Sequence, residues 1–165
     1  MRHAWNAVKL DDKWQLMDVT WASGGLDVRS KKYVRDFDAG WFLTPPQRFL
    51  LSHWPDDARW TLGETRPDKK EFVKAPVFYR RYTAAGLHLE SPRTGTIGRK
   101  TTIRLRSSEP VTRLSAYLVD TDAYLDLPVM ASGDLYSTEL DLPKDARGPV
   151  IIKMGGGWIS GLNRK

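Results

Sequence analysis

The chain has 165 residues, 41% of them hydrophobic, with 7 tryptophans and no cysteine. This apolar content excludes a largely disordered chain and predicts one folded domain or two small ones. Without cysteine there can be no disulfide and no thiolate metal site. The 3 histidines lack the i, i+4 spacing of a zinc motif, so the sequence predicts neither a metal site nor a cofactor.

The formal net charge of +6 raises the question of an anionic partner. The basic residues occur as scattered pairs such as Lys31-Lys32 and Arg80-Arg81, interleaved with acidic residues. Because no recognition helix accompanies them, we expect no specific nucleic-acid binding. No apolar run predicts a transmembrane segment or a signal peptide. The compartment therefore stays open, and export of a longer parent protein is compatible with the sequence.

The first predicted element is a hairpin whose two arms flank Asp11-Asp12. Both arms contain aromatic and β-branched residues, which favour strands, and the two aspartates form a plausible tight turn. A two-residue loop pairs Leu10 with Lys13 across the hairpin.

The predicted register places a histidine and a carboxylate on one face of the hairpin. Continuing the ladder pairs Trp5 with Asp18 and His3 with Thr20, so that His3 and Asp18 become diagonal neighbours about 7–8 Å apart. We therefore expect a His3–Asp18 hydrogen bond. Such a bond sets the imidazole tautomer and leaves the other ring nitrogen to activate a nucleophile. A simple polar contact on a solvated face is the alternative.

The same residues form a recognisable pattern, H-x-W-N-x-V from His3 and D-x-T-W from Asp18. It resembles the His and Asp blocks of transglutaminase-like domains, which use a papain-like Cys-His-Asp triad. The resemblance implies His3 as general base and Asp18 as its orienting carboxylate, with Trp5, Asn6 and Trp21 as candidates for the substrate cleft. The cysteine of the triad is missing from this chain. Since a triad without its nucleophile loses about 10⁶-fold in turnover, we expect this chain to be inactive by itself.

A short helix is predicted over residues 45–53. Thr44 and Gln47 have the spacing of a capping box, and Pro45 would occupy the first helical position. The series from Trp41 through His53 to Trp60 resembles the kyphoscoliosis-peptidase-like branch of the family. That likeness raises His53 as a second functional histidine, whereas its place at a helix end favours a capping or packing role.

The pattern changes after a predicted linker at residues 76–85. From residue 86 to 165, about six short strands alternate with turn residues, which is typical of a β-sandwich, immunoglobulin-like in outline. His88 is expected to face outward from an edge strand. The run Gly155-Gly156-Gly157 lacks the residues of a phosphate-binding loop and predicts a turn or bulge.

The predicted fold class is α+β, mostly β. Residues 1–75 are expected to form the C-terminal half of a transglutaminase-like domain, and residues 86–165 an incomplete β-sandwich, so that both ends of the chain look cut. The expected function is a fragment of a transglutaminase-like cysteine peptidase or acyltransferase that acts on a protein or peptide. The alternative is a cysteine-less pseudoenzyme that serves as a protein-binding scaffold. An exposed hairpin face carrying Trp5, Trp14 or Trp21 also predicts self-association.

Overall fold

The computed structural model describes residues 3–26 and 30–164 and divides into two compact units, Met1–Asp68 and Lys69–Lys165. The structure is mostly β with few, short helices, which is compatible with the predicted fold class. Among the described residues, no helix has the length and the apolar content that a bilayer crossing requires.

The first unit is built from short elements and two separate two-stranded antiparallel sheets, β1–β2 and β3–β4. Its elements are β1 (Asn6–Leu10), β2 (Lys13–Met17), α1 (Val19–Ala22), β3 (Gly24–Leu26), β4 (Tyr33–Arg35), a 3₁₀ turn (Ala39–Trp41), α2 (Pro46–Phe49) and a second 3₁₀ turn (Ala58–Thr61).

The predicted hairpin pairing is confirmed where the turn determines it. Leu10 pairs with Lys13, and Asp11 and Asp12 have φ angles of 46° and 61°. Two consecutive positive φ values are typical of the type I′ turn, whose twist matches that of the strands it joins. Aspartate tolerates this region better than most residues because its short side chain can hydrogen-bond locally.

The continuation of the ladder was predicted wrongly. Pairing ends at Asn6 and Met17, so the expected Trp5–Asp18 and His3–Thr20 pairs do not form. The reason is local, because Asp18 is the N-cap of α1 and Thr20 lies within that helix. The chain turns away from the strand direction directly after β2.

Helix α2 covers Pro46–Phe49, less than the expected residues 45–53. The predicted capping box is absent. The Thr44 hydroxyl donates instead to the carbonyl oxygen of Gly40, and the Gln47 amide donates to the carboxylate of Glu64.

Thr44 lies one residue before the N-cap of α2, which is Pro45, and its backbone is bound elsewhere. Its N–H donates to the carbonyl oxygen of Leu16 at 2.9 Å, which forms an isolated antiparallel bridge to β2. This bridge holds the segment before α2 against the hairpin. The chain then continues from α2 through further hydrogen-bonded turns, including one from the His53 N–H to the Phe49 carbonyl oxygen.

The second unit holds two small helices, α3 (Lys69–Lys74) and α4 (Arg80–Ala84). Its strands are β5 (Val77–Phe78), β6 (His88–Ser91), β7 (Thr96–Ile97), β8 (Lys100–Arg106), β9 (Leu114–Leu118), β10 (Ala123–Leu127), β11 (Met130–Ser132), β12 (Leu135–Asp141), β13 (Pro149–Met154) and β14 (Gly157–Arg164). Residues 76–85, expected as a linker, thus contain β5 and α4.

These strands form two sheets that share one apolar core. One sheet has the order β11-β12-β8-β6, and the other has the order β10-β9-β13-β14-β5, with β7 parallel to β14. The buried core takes residues from both sheets, among them Ile103, Leu140, Ala116 and Ile152. His88 is exposed on the edge strand β6, as predicted.

Candidate active site

Asp18 lies at the centre of the candidate site and is fully buried. It occupies the corner between β2 and α1, where its Oδ1 accepts a hydrogen bond from the Trp21 N–H at 3.0 Å and so caps the helix. Its Oδ2 accepts two more hydrogen bonds, from Nε2 of His3 at 2.5 Å and from Nε2 of His53 at 3.0 Å. One carboxylate therefore joins the start of the chain, a helix N-terminus and the segment after α2.

Asp18 is ionised at neutral pH. Burial by itself raises the pKa of the carboxyl group, but the hydrogen bonds from the Trp21 N–H, His3 and His53 together lower it below its ordinary value. An ionised carboxylate can only accept hydrogen bonds. Both histidines must therefore present a protonated Nε2 to it.

His53 is neutral as well as buried, with 2% of its surface exposed. Burial lowers the pKa of this imidazole and outweighs the opposing effect of the Asp18 carboxylate. In a neutral ring that is protonated on Nε2, Nδ1 is an acceptor, and the Ser52 hydroxyl at 2.9 Å is the group that can donate to it. The Phe49 carbonyl oxygen, 3.3 Å from the same nitrogen, is also an acceptor and is only a contact in this tautomer. A hydrogen-bonded chain thus runs from Ser52 through His53 and Asp18 to His3.

Aromatic rings enclose the two imidazoles. The His3 ring stacks on Trp21, with centroids 5.1 Å apart, and the His53 ring stacks on Phe49 at 3.9 Å. Trp5 meets the His53 ring edge-on at 5.2 Å. These apolar surroundings lower the local dielectric and strengthen the hydrogen bonds to Asp18.

The structure brings together His3, Asp18, Trp5 and Trp21, four of the five site residues predicted from sequence. The fifth, Asn6, is exposed at the start of β1 and, within the described ranges, forms no hydrogen bond with the other four.

His53 has a larger part in this arrangement than its place at a helix end predicts. The predicted packing role is present, since the ring stacks on Phe49. Its hydrogen bond to Asp18 spans 35 residues and has no local spacing pattern. The signal that pointed to it was the family resemblance around the His53-Trp54-Pro55 sequence.

The geometry suits His3 for general-base chemistry. Its Nε2 is held by Asp18, and its side chain is 30% exposed, so Nδ1 is the nitrogen left to face a reacting group. The nearby Ser23 hydroxyl does not fill that place. It donates to the carbonyl oxygen of Thr20 and accepts from the Tyr33 hydroxyl.

The same three side chains can also be considered as metal ligands. Ligand atoms of His3, Asp18 and His53 lie within 4.8 Å of one another, and two imidazoles with one carboxylate suit Zn²⁺ or Fe²⁺. A cation would have to replace the protons that both histidines direct at Oδ2, because metal ligation requires deprotonated nitrogens. The observed hydrogen bonds are thus an alternative to metal binding.

Comparison with known proteins gives relatives for part of the chain. Over 111 residues it is 32% identical to kyphoscoliosis peptidase of Mus musculus, and equally to that of Homo sapiens. Over 107 residues it is 24% identical to hillarin of Drosophila melanogaster. The alignments cover 66% and 58% of this chain, respectively, but only 17% and 13% of the relatives. No family model matches. The predicted resemblance is thus confirmed as homology to kyphoscoliosis peptidase, a transglutaminase-like family member.

Proposed function

We propose that this chain carries the His and Asp of a transglutaminase-like Cys-His-Asp site, with His3 as general base and Asp18 as its orienting carboxylate. The observation that carries the proposal is the hydrogen bond from His3 Nε2 to a fully buried, ionised carboxylate. The similarity to kyphoscoliosis peptidase supports a peptidase or acyltransferase that acts on a protein or peptide.

In a complete site of this kind, Nδ1 of His3 takes the proton of a cysteine thiol, and Asp18 stabilises the imidazolium that forms. The thiolate attacks the amide carbon, and His3 returns the proton to the departing amine. Water or another amine then releases the acyl group from the thioester. Since this chain has no cysteine, we propose that it does not catalyse the reaction by itself and that the cysteine belongs to protein sequence outside it.

The absence of cysteine also favours a second candidate, a pseudoenzyme whose fold is retained as a protein-binding scaffold. The second unit fits such a role if it is immunoglobulin-like, as we further propose. Its sheet orders support this, because β6-β8-β12-β11 together with β14-β13-β9 corresponds to the immunoglobulin order ABED together with GFC. The second sheet has three further strands, β10 next to β9 and both β5 and β7 next to β14.

Nitrogen-detected NMR of the imidazoles tests the role of Asp18. In the wild-type chain, we expect the neutral imidazole of His3 to carry its proton on Nε2 and to have no proton on Nδ1. In Asp18→Asn, we expect a mixture of the two tautomers. His88→Gln, which removes an exposed histidine, is the matched control and assists assignment. A neutral His3 imidazole that carries its proton on Nδ1 in the wild type would contradict the proposed hydrogen bond from Nε2 to Asp18.

Activity measurements test the other half of the proposal. With glutamine-containing peptides and an added amine, we expect neither hydrolysis nor amine incorporation. Turnover that His3→Ala abolishes would overturn the claim of inactivity. Stoichiometric Zn²⁺ binding that requires both His3 and His53 would show that these residues form a metal site and would contradict the proposed hydrogen-bonded arrangement.

The DNA upstream of the Met1 codon separates the two candidates. An in-frame extension with a cysteine at a helix start supports the enzyme, and an immediately preceding stop codon supports the scaffold.

A further inference from the structure

A second concave site lies wholly within the second unit, where β13 turns into β14. It is a surface cleft of about 730 Å³, lined by Tyr79, Arg81, Trp158 and the loop Gly155-Gly156-Gly157, among others. A cleft of this size lies within the range of about 300–1,000 Å³ that is usual for ligand sites. Neither the proposed triad chemistry nor the relatives assign it a role.

Arg81 gives the cleft its charge. It is the charged side chain of the lining, it is exposed, and in the part of the chain that the structure describes it forms no ion pair. Its aliphatic stem lies against Gly157, where an added Cβ would come within 2.9 Å of the Arg81 Cγ. The glycine is therefore required for the arginine to lie where it does.

Two aromatic rings form an apolar corner beside this cation. The Trp158 side chain is 41% exposed, and its ring meets that of Tyr79 edge-to-face, with centroids 5.4 Å apart and planes at 74°. A sugar ring prefers one broad flat face to stack on, whereas a corner of two crossed rings fits a compact aliphatic side chain. This geometry favours a peptide over an acidic saccharide.

We propose that this cleft binds an acidic peptide segment, with a carboxylate on Arg81 and a neighbouring aliphatic side chain in the corner of Tyr79 and Trp158. The planar guanidinium offers two parallel donors that match a carboxylate. The glycine loop has no side chains, so the backbone of a bound peptide can approach it closely.

A side chain can be added to the lining of the cleft without disturbing the fold. A Cβ on Gly156 meets no atom within 4 Å, and this glycine is not among those with a positive φ. Gly156→Leu therefore adds a bulky side chain to the glycine loop of the lining with little strain. Arg81→Ala removes the cation, and Arg104→Ala is its matched control, because Arg104 is an exposed arginine on β8 outside the cleft.

The test uses the full chain and fluorescence anisotropy with fluorescein-labelled peptides of alternating Leu-Glu and Leu-Gln. We expect the Leu-Glu peptide to bind about tenfold or more tightly than the Leu-Gln peptide, because a charge-assisted hydrogen bond is lost in the amide. Arg81→Ala should weaken binding by about the same factor. Gly156→Leu should weaken it, because the added side chain keeps a peptide backbone away from the glycine loop, and Arg104→Ala should leave it unchanged.

Several results would overturn the proposal. They are no binding of the Leu-Glu peptide up to millimolar concentration, equal weakening by Arg81→Ala and Arg104→Ala, or binding of an oligogalacturonate in place of the peptide. Circular dichroism establishes that each variant is folded. Arg81→Lys, which keeps the charge but loses the two parallel donors, should bind with intermediate affinity.

Discussion

The two units of this chain are stabilised by different kinds of interior. The second unit has an extended apolar cluster to which both of its sheets contribute. Among the described residues of the first unit, the buried apolar side chains are Leu16, Ala22, Trp41, Phe49, Leu50 and Pro55, and the buried polar residues are nearly as numerous: Asp18, Asp38, Thr44, His53 and Thr61. In the described part of the second unit, the buried polar residues, Thr83, Ser107, Thr138 and Ser160, have hydroxyl groups only and are few beside its apolar cluster.

This difference shows how a short chain segment can order a site without a large hydrophobic core. In the first unit, hydrogen bonds to one carboxylate and contacts between aromatic rings hold elements of only 3–5 residues together. Because buried polar groups are costly when they lose a partner, the residues that form the site also determine whether this unit folds. In the second unit, the shared interior is apolar, so its stability depends mainly on packing.

The largest effect is expected for Asp18→Ala. The substitution leaves two imidazole N–H groups and the Trp21 N–H without their acceptor, and breaking such a buried charged network costs about 3–5 kcal/mol. Tryptophan fluorescence during urea unfolding measures it, since every tryptophan except Trp158 lies in the first unit. Asp18→Asn should cost less, and Asp12→Asn, the same change at an exposed turn position, should cost nothing measurable. An unchanged urea midpoint for Asp18→Ala would contradict the claim that hydrogen bonds to this carboxylate stabilise the first unit.

Leu140→Ala tests the apolar core of the second unit as Asp18→Ala tests the polar interior of the first. Leu140 is fully buried on β12, and removing it from a packed core costs about 2–5 kcal/mol. Far-ultraviolet circular dichroism during urea unfolding measures the loss. Val119→Ala removes an exposed aliphatic residue and serves as the control. A loss no larger than that of the control would show that the cluster is loosely packed.

His53→Leu should destabilise the first unit by about 1–3 kcal/mol, because Asp18 loses one donor while His3 and the Trp21 N–H remain. The same fluorescence assay applies. His88→Leu changes an exposed histidine of the second unit and should have no effect on that signal. If both variants behave alike, the buried hydrogen bond adds nothing to stability.

The pH dependence of stability should follow from the same groups. The pKa of His53 is lowered in the folded chain, so below about pH 6.5 the unfolded chain binds more protons and stability falls as pH falls. The pKa of Asp18 is also lowered, so its contribution is present above about pH 3.9 and is lost at lower pH. Urea midpoints between pH 7.5 and 5 should therefore decline more for the wild type than for His53→Gln. Parallel curves would contradict this.

The smallest effect concerns association. Trp14 is 46% exposed and packs edge-to-face against Trp60, and Leu10 on the same hairpin is exposed as well. Exposed apolar groups of this kind promote self-association. We expect concentration-dependent light scattering that Trp14→Gln reduces and that Tyr124→Gln, an exposed aromatic of the second unit, does not. A monodisperse wild-type monomer at high concentration would exclude this surface as an interface.

Local features of the first unit could be predicted from sequence. The two-residue turn determines that Leu10 pairs with Lys13, and the chain spacing brings His3 within reach of Asp18. The ladder between them could not be predicted correctly, since the capping bond from the Trp21 N–H to Asp18 ends the strand.

Contacts that span long chain separations could not be predicted. Thr44 and Gln47 have the local spacing of a capping box, but the Thr44 hydroxyl donates to the Gly40 carbonyl four residues earlier, and the Gln47 amide donates to the Glu64 carboxylate 17 residues away. Only the second of these bonds is non-local. The bond of His53 to Asp18 has the same non-local character. In the second unit, alternation and turn residues indicated strands, but the order of strands in a sheet depends on pairings for which the sequence holds no local signal.

The shared carboxylate oxygen of Asp18 closes two loops of the chain, one of 15 residues to His3 and one of 35 residues to His53. The entropic costs of closing loops of these lengths differ by less than about 1 kcal/mol, and the fold needs both closures. A lineage that loses its nucleophile would then still be under selection to keep Asp18 and His53, for the sake of folding alone. Folding of the unit can therefore account for a histidine–aspartate pair in such a chain as well as catalysis can.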